Sequence, residues 1–246
     1  MAIVRKPLLS VENLSLSLHG VEILSSINFH IDGGQILALT GPSGSGKSLT
    51  ALSIAMLHPP DAILRGRIIF DGREMQKLSE KELCSLRGVD ISYVFQEPMA
   101  CFNPSITIGR QVLECMSIHG RCLSKREMRS GVLYWFRELQ IPDHERVYCS
   151  YPHELSGGML QRAMLAMALI NGPKLLIADE ATSALDEKSC HVAICQLLQL
   201  QRRLGFAVLF ITHDLPLAEN IADRIAVIDR GKIVSIDGTN GHGRGI

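Results

Sequence analysis

The sequence lacks net charge: 25 Lys and Arg balance 25 Asp and Glu over 246 residues. That balance removes any general electrostatic pull towards nucleic acid or acidic lipid. No nucleic-acid partner is expected, and binding has to come from local sites. No apolar run approaches the ~18 residues needed to cross a bilayer. The start, Met1-Ala2-Ile3-Val4-Arg5-Lys6-Pro7, lacks the long apolar segment of a secretory signal, so a cytoplasmic chain is expected. The seven cysteines are odd in number and contain no C-x-x-C pair, which fits reduced thiols better than a disulfide framework. There is no internal repeat. What is present is 46% apolar residues in a chain long enough to fill one sizeable core, with or without a small subdomain.

Hydrophobic patterning divides that chain. Leu14, Leu16 and Leu18 alternate, as do Ile27, Phe29 and Ile31 before Asp32-Gly33-Gly34, which predicts an antiparallel N-terminal β region. Gln35 to Thr40 reads as a buried strand, and Ser48 to Leu57 as a helix stopped by His58-Pro59-Pro60. Arg67 to Phe70 and Ile91 to Phe95 are further strands, with a capping box, Ser79 and Glu82, opening a short helix between them. From Gln96 to about Glu154 the texture turns helical, with a second capping box at Ser124 and Glu127. A helical subdomain inserted over about 97–160 is expected. Leu175 to Ala178 and Phe206 to Ile211 are continuous apolar runs of the parallel-strand kind, with a helix between them over about 188–204. Ile225 to Ile228 and Ile233 to Ile236 read as a closing hairpin, and 237–246, rich in glycine, as a loose tail. The fold class expected is α/β, with a mostly parallel core sheet in one domain over 1–236.

Between the third strand and its helix lies Gly41-Pro42-Ser43-Gly44-Ser45-Gly46-Lys47-Ser48, which fits the phosphate-loop pattern G-x-x-x-x-G-K-[ST] at every fixed position. Its small residues let consecutive N–H groups curl inward onto phosphates, Lys47 reaches the β/γ oxygens, and Ser48 offers a hydroxyl to Mg²⁺. A bound nucleoside triphosphate is predicted, at a helix N-terminus that includes Leu49. At the end of the strand Leu175 to Ala178 come Asp179 and Glu180, at the carboxyl edge where parallel sheets bind ligands. Asp179 serves the metal in that assignment and Glu180 polarises the attacking water.

Leu155-Ser156-Gly157-Gly158-Met159-Leu160-Gln161 resembles the LSGGQ signature of ATP-binding-cassette proteins, with Met159 in place of the usual Gln, about twenty residues before Asp179. One ATP cannot use both loops of one subunit. The resemblance implies a head-to-tail pair, in which Ser156 and Gly158 of one subunit cover the γ-phosphate held by Lys47 of the other. It also implies that Gln96 is the Q-loop glutamine bridging Mg²⁺ or water, that His213 in Ile211-Thr212-His213-Asp214 is the switch histidine, and that Ser183-Ala184-Leu185-Asp186 is the D-loop. Two departures stand out: Ala181 replaces the common Pro after Glu180, and the usual adenine-stacking aromatic is replaced by Leu18 or His19, of which His19 can stack.

Tyr151 to Met159 and Phe95 to Met99, followed by Phe102-Asn103-Pro104, are similar to ATPases of bacterial dipeptide, oligopeptide and nickel importers; Met159-Leu160-Gln161-Arg162 and Gly46 to Thr50 are nearest in wording to the nickel branch. The implied cofactors are ATP and Mg²⁺. The implied partners are a second cassette ATPase, paralogous or identical, two membrane permease subunits and, indirectly, an external substrate-binding protein. The implied place is peripheral, on the cytoplasmic side of the inner membrane. Relatives of that branch run on past the last hairpin, where this sequence passes into its glycine-rich stretch. The resemblance implies an ATP-hydrolysing subunit that energises an importer of nickel or a metal chelate, with a dipeptide or oligopeptide importer and a non-transport relative in phosphonate breakdown as the alternatives. Cys115, His119 and Cys122 lie close in sequence, yet Gly120 breaks the helix and a fourth ligand is missing, so packing rather than metal binding is expected. Trp135 and Phe136 are expected to pack a helix.

Overall fold

The computed structural model describes residues 6–118, 123–180 and 187–238. The D-loop residues 183–186, Ala181, His119 and Cys122 lie outside them. Two compact units are formed, one from 6–87 with 201–238 and one from 88–200.

The first unit opens with β1 (Leu9–Leu18) and β2 (Val21–Ile31), the expected antiparallel hairpin, turned at His19-Gly20 with both residues at positive φ. A bulge precedes the first alternating stretch read from the sequence. Asn13 takes φ 49°, the register shifts between Val11 and Leu14, and Leu9, Val11, Leu14 and Leu16 thereby all face the core. The Asn28 side chain holds the bulge, its Oδ1 accepting the Asn13 N–H at 2.8 Å. β3 (Ile36–Thr40) follows, then α1 (Lys47–Ile54), β4 (Ile63–Phe70), β5 (Arg73–Glu74) and α2 (Glu80–Leu86). The antiparallel sheet runs β2-β1-β4-β5.

Helix α1 is shorter than the sequence suggests. Met56 adopts φ 54° and the Leu57 N–H reaches the Leu52 carbonyl at 2.8 Å, a Schellman-type end that stops the helix before His58 is reached. The capping box predicted at Ser79 is present: Ser79 N–H donates to Glu82 Oε2 at 2.8 Å, and Ser79 Oγ accepts from Glu82 N–H at 3.4 Å.

The second unit contains β6 (Ile91–Val94), α3 (Pro98–Cys101), α4 (Ile108–Ser117), α5 (Lys125–Glu138), α6 (His144–Cys149), α7 (Gly157–Leu169) and β7 (Leu175–Asp179). β6 and β7 pair in parallel, Val94 opposite Ala178. The helical texture expected after Gln96 is all here. Helix α5 starts at the predicted Ser124–Glu127 box and buries Val132, Leu133 and Phe136. Phe136 is fully buried and packs the helix, while Trp135 is half-buried and lies edge-on to Tyr134.

Helix α8 (Glu187–Leu204) leads back to β8 (Ala207–Thr212), α9 (Leu215–Ile221), β9 (Arg224–Asp229) and β10 (Lys232–Gly238) in the first unit. β3 lies parallel between β8 and β9, and β10 closes antiparallel on β9. Every residue of β3 and β8 is buried, which is why their sequences show no alternation. Asp237 and Gly238, read from composition as part of a loose tail, are instead the last residues of β10, paired with Ile225 and Arg224.

Candidate active site

In the first unit, Thr40 of β3 stands in register with Thr212 of β8. The residues that follow are Gly41, which opens the phosphate loop, and His213. The two therefore leave the same carboxyl edge from adjacent parallel strands, and His213 is exposed there. Asp214 caps α9 by accepting the Leu217 N–H at 2.9 Å, and its own N–H donates to Thr212 Oγ1 at 3.0 Å, fixing the backbone on either side of His213.

The loop is shaped by glycines that no other residue can replace in place. Gly41 has φ 149°, and a Cβ there would lie 2.0 Å from the Ile228 carbonyl oxygen; at Gly46, φ 106°, it would lie 2.5 Å from Leu24 Cδ2. Gly46 is also the N-cap of α1 and supplies no side-chain cap hydrogen bond. Lys47 is 5% exposed, and its ammonium donates to the carbonyls of Gly41 at 2.8 Å and Pro42 at 2.9 Å. The lysine folds back over its own loop, a charge held at the place where phosphate is expected. Ser48 and Leu49 follow it in the first turn of α1, Ser48 exposed. Pro42, Ser43 and Gly44 are exposed at the loop's tip, whereas Ser45 is buried with its carbonyl accepting the Gly231 N–H at 2.9 Å.

His19 sits at the β1–β2 turn, and its Nε2 is 3.3 Å from Asp61 Oδ2. Its side chain is 78% exposed, so an aromatic face is open to a ligand.

In the second unit, Asp179, the last residue of β7, and Glu180 just after it are each gripped from the β6 segment. Tyr93 Oη donates to Asp179 Oδ2 at 2.7 Å, and Gln96 Nε2 donates to Glu180 Oε2 at 2.8 Å. Asp179 is buried, while Glu180 takes φ 45° just past the strand. Burial first, and then the Asp179 carboxylate, push the Tyr93 phenol far above its ordinary range, so it remains a donor. Sequence reading missed Tyr93, because nothing in a strand pattern tells which residue of a neighbouring strand will lie beside an acid.

Ser156 is the N-cap of α7, its Oγ accepting the Met159 N–H at 3.4 Å. The cap uses only the backbone of Met159, so the exchange of Gln for Met leaves it intact. Gly158 lies in the first turn, half-buried, with open space where a Cβ would be. Beside them is a cavity of about 270 Å³, lined by Ser156, Gly158, Met159 and Arg162 among others.

The donors assigned to Mg²⁺, the Ser48 hydroxyl, the Asp179 carboxylate and the Gln96 amide, offer the hard oxygen ligands that this ion takes, and so fit it. Among the described residues no group of three His, Cys, Asp or Glu side chains could hold a metal by itself. Burial, and then Glu114, push the Cys115 thiol up; the other two residues of that sequence cluster, His119 and Cys122, lie outside the described residues.

The chain matches the family model described as ABC transporter over residues 24–183. It is 43% identical over 233 residues to a probable peptide ABC transporter ATP-binding protein, y4tR, of Sinorhizobium fredii, covering 92% of this chain and 69% of that one. To the oligopeptide transport ATP-binding protein OppD of Bacillus subtilis it is 42% identical, covering 92% and 65%. To the metal-staphylopine import system ATP-binding protein CntD of Staphylococcus aureus it is 39% identical, covering 92% and 84%. The chain thus spans about two thirds of the length of the two peptide-transport relatives. Among solved structures, the ATP-binding cassette MJ0796, a dimer in a post-hydrolysis state bound to ADP and Pi, superposes with a TM-score of 0.84 at 28% identity, covering 95% of this chain and 99% of that one. Motifs, fold and relatives agree, and this chain belongs to the ABC transporter family as an ATP-binding cassette.

Proposed function

We propose that the chain hydrolyses ATP to drive a membrane importer, with peptides as cargo. The observation that carries the ATPase reading is the register of Thr40 with Thr212, which sends the phosphate loop and His213 out of one sheet edge. In this reading the loop amides and Lys47 bind the phosphates, and His213 contacts the γ-phosphate. Ser48, Asp179 and Gln96 serve Mg²⁺, which when bound would neutralise charge on the β- and γ-phosphates. Glu180 accepts a proton from the attacking water as the water oxygen bonds to the γ-phosphorus and the bond to ADP breaks. Ser156 and Gly158 act in trans, on the nucleotide of a second cassette, identical or paralogous. His19 stacks on the adenine.

Two permease subunits and, through them, an external binding protein complete the assembly, which places the chain at the cytoplasmic face of the inner membrane. Among the described residues no helix is long and apolar enough to cross a membrane. The peptide cargo is favoured by the two relatives named for peptide transport. A second reading, import of a metal chelate, is favoured by the metal-staphylopine relative, and nickel belongs under it. Uptake of labelled dipeptide and of nickel, in cells deleted for the chain and complemented with it, tests both. Loss of peptide uptake alone supports the first reading, and loss of nickel uptake alone supports the second. Co-purification with soluble lyase subunits instead of permeases would overturn the importer.

A further inference from the structure

We infer that Tyr93 is a positioning residue for the magnesium-bound nucleotide, holding the Asp179 carboxylate through the hydrogen bond between Tyr93 Oη and Asp179 Oδ2. The inference rests on the assignment of Asp179 to Mg²⁺ made above.

Strand register makes the contact. Tyr93 of β6 is paired with Ile177 of β7, and Asp179 lies two residues further on, hence on the same face of the sheet and diagonal to Tyr93. A long side chain can span that diagonal, and the phenol does so at 2.7 Å. The ring is itself held, its centroid 4.4 Å from that of Phe95 at a tilt of 31°. Both ends of the contact are therefore fixed: the ring by packing, the carboxylate by being only 7% exposed.

The chemistry of the donor matters. A Lys or Arg in this place would orient Asp179 but would also cancel the charge that attracts a divalent cation. A neutral phenol orients one oxygen and leaves the carboxylate its full negative charge. The Gln96 amide has the same neutral relation to Glu180, at 2.8 Å. The β6 segment thus supplies an uncharged donor to each of the two acids at the end of β7 and just past it, and Tyr93 is the member of this set that no motif marks.

The test is Tyr93→Phe in the full chain, which removes the hydroxyl and keeps the ring. Binding of a fluorescent ATP analogue is titrated with Mg²⁺, and Mn²⁺ occupancy in the presence of ATP is followed by electron paramagnetic resonance. The half-saturating metal concentration is expected to rise about tenfold or more. Analogue binding in EDTA should stay at its parent value, showing that the variant is folded, and the melting temperature should fall by no more than the few degrees that one lost buried hydrogen bond costs. Asp179→Asn should also raise the metal requirement, and adding Tyr93→Phe to it should raise it no further. An unchanged metal requirement in Tyr93→Phe, with a raised one in Asp179→Asn, overturns the role of Tyr93. A loss of metal-free binding and melting temperature in step with metal affinity does the same, by making the contact merely structural. An unchanged requirement in Asp179→Asn overturns the assignment of Asp179 itself.

Discussion

Replacing Gly41 by Ala should disable the phosphate loop through one contact that can be worked out from the structure. The new Cβ would lie 2.0 Å from the carbonyl oxygen of Ile228 and 3.1 Å from Ser45 Oγ. A carbon in van der Waals contact with that oxygen needs at least another ångström or so. The oxygen cannot yield, because Ile228 is a backbone position of β9, paired with Ile233 on one side, while Val227 beside it pairs with Thr40 on the other. The loop has to move instead, yet it is tied by Lys47 to its own carbonyls and by the Gly231 N–H to Ser45. With the overpacking and the strain of φ 149° taken together, the substitution should cost about 3 kcal/mol. For a chain of this size that lowers the melting temperature by about 6–12 °C. A displacement of about 1 Å in a phosphate cradle should also slow ATP hydrolysis by about a hundredfold. Gly44→Ala is the control for stability: its φ is 77°, but nothing lies within 4 Å of the added methyl, so only about 1 kcal/mol of backbone strain is expected. Thermal unfolding without nucleotide compares the two, and steady-state phosphate release measures turnover. If Gly41→Ala melts with Gly44→Ala and hydrolyses ATP at the parent rate, the close approach to Ile228 is not what demands glycine.

Other outcomes are equally open to measurement. Glu180→Gln should keep ATP affinity and slow hydrolysis by about a thousandfold, trapping a nucleotide-bound dimer visible by size-exclusion chromatography; rapid turnover would refute Glu180 as the base. Ser156→Arg should abolish hydrolysis while each subunit still binds ATP in equilibrium titration, and retained turnover would remove Ser156 from the trans site. The capping boxes make an acid-sensitive contribution. Hydrogen bonds from Ser79 to Glu82 and from Ser124 to Glu127 hold both carboxyls below their ordinary 4.5. Their stabilisation is therefore present above about pH 4.5 and is lost as the pH falls through the lower folded-state values. Glu82→Gln with Glu127→Gln should flatten the pH dependence of melting below that point, and an unchanged slope would refute the linkage.

Local features were legible because their causes are local. A capping box needs only residues three apart, and both Ser79–Glu82 and Ser124–Glu127 form as read. The burial of β3 and β8 is written in unbroken apolar runs, and the phosphate loop in its glycines and Lys47. The end of α1 was misread because Met56 in the left-handed region is a backbone choice that its side chain does not announce. The bulge at Asn13 was equally hidden, since it depends on Asn28 from the neighbouring strand.

The sequence by itself determined the family and the nucleotide-binding loop, because both are carried by residue type at fixed spacing. Only the tertiary structure decided which groups meet. Strand register sets Thr40 beside Thr212 and brings Tyr93 to Asp179, and the approach of β9 makes Gly41 irreplaceable. Register is a relation between segments far apart in the chain, settled by which pairing buries the most apolar surface, and no short motif contains it.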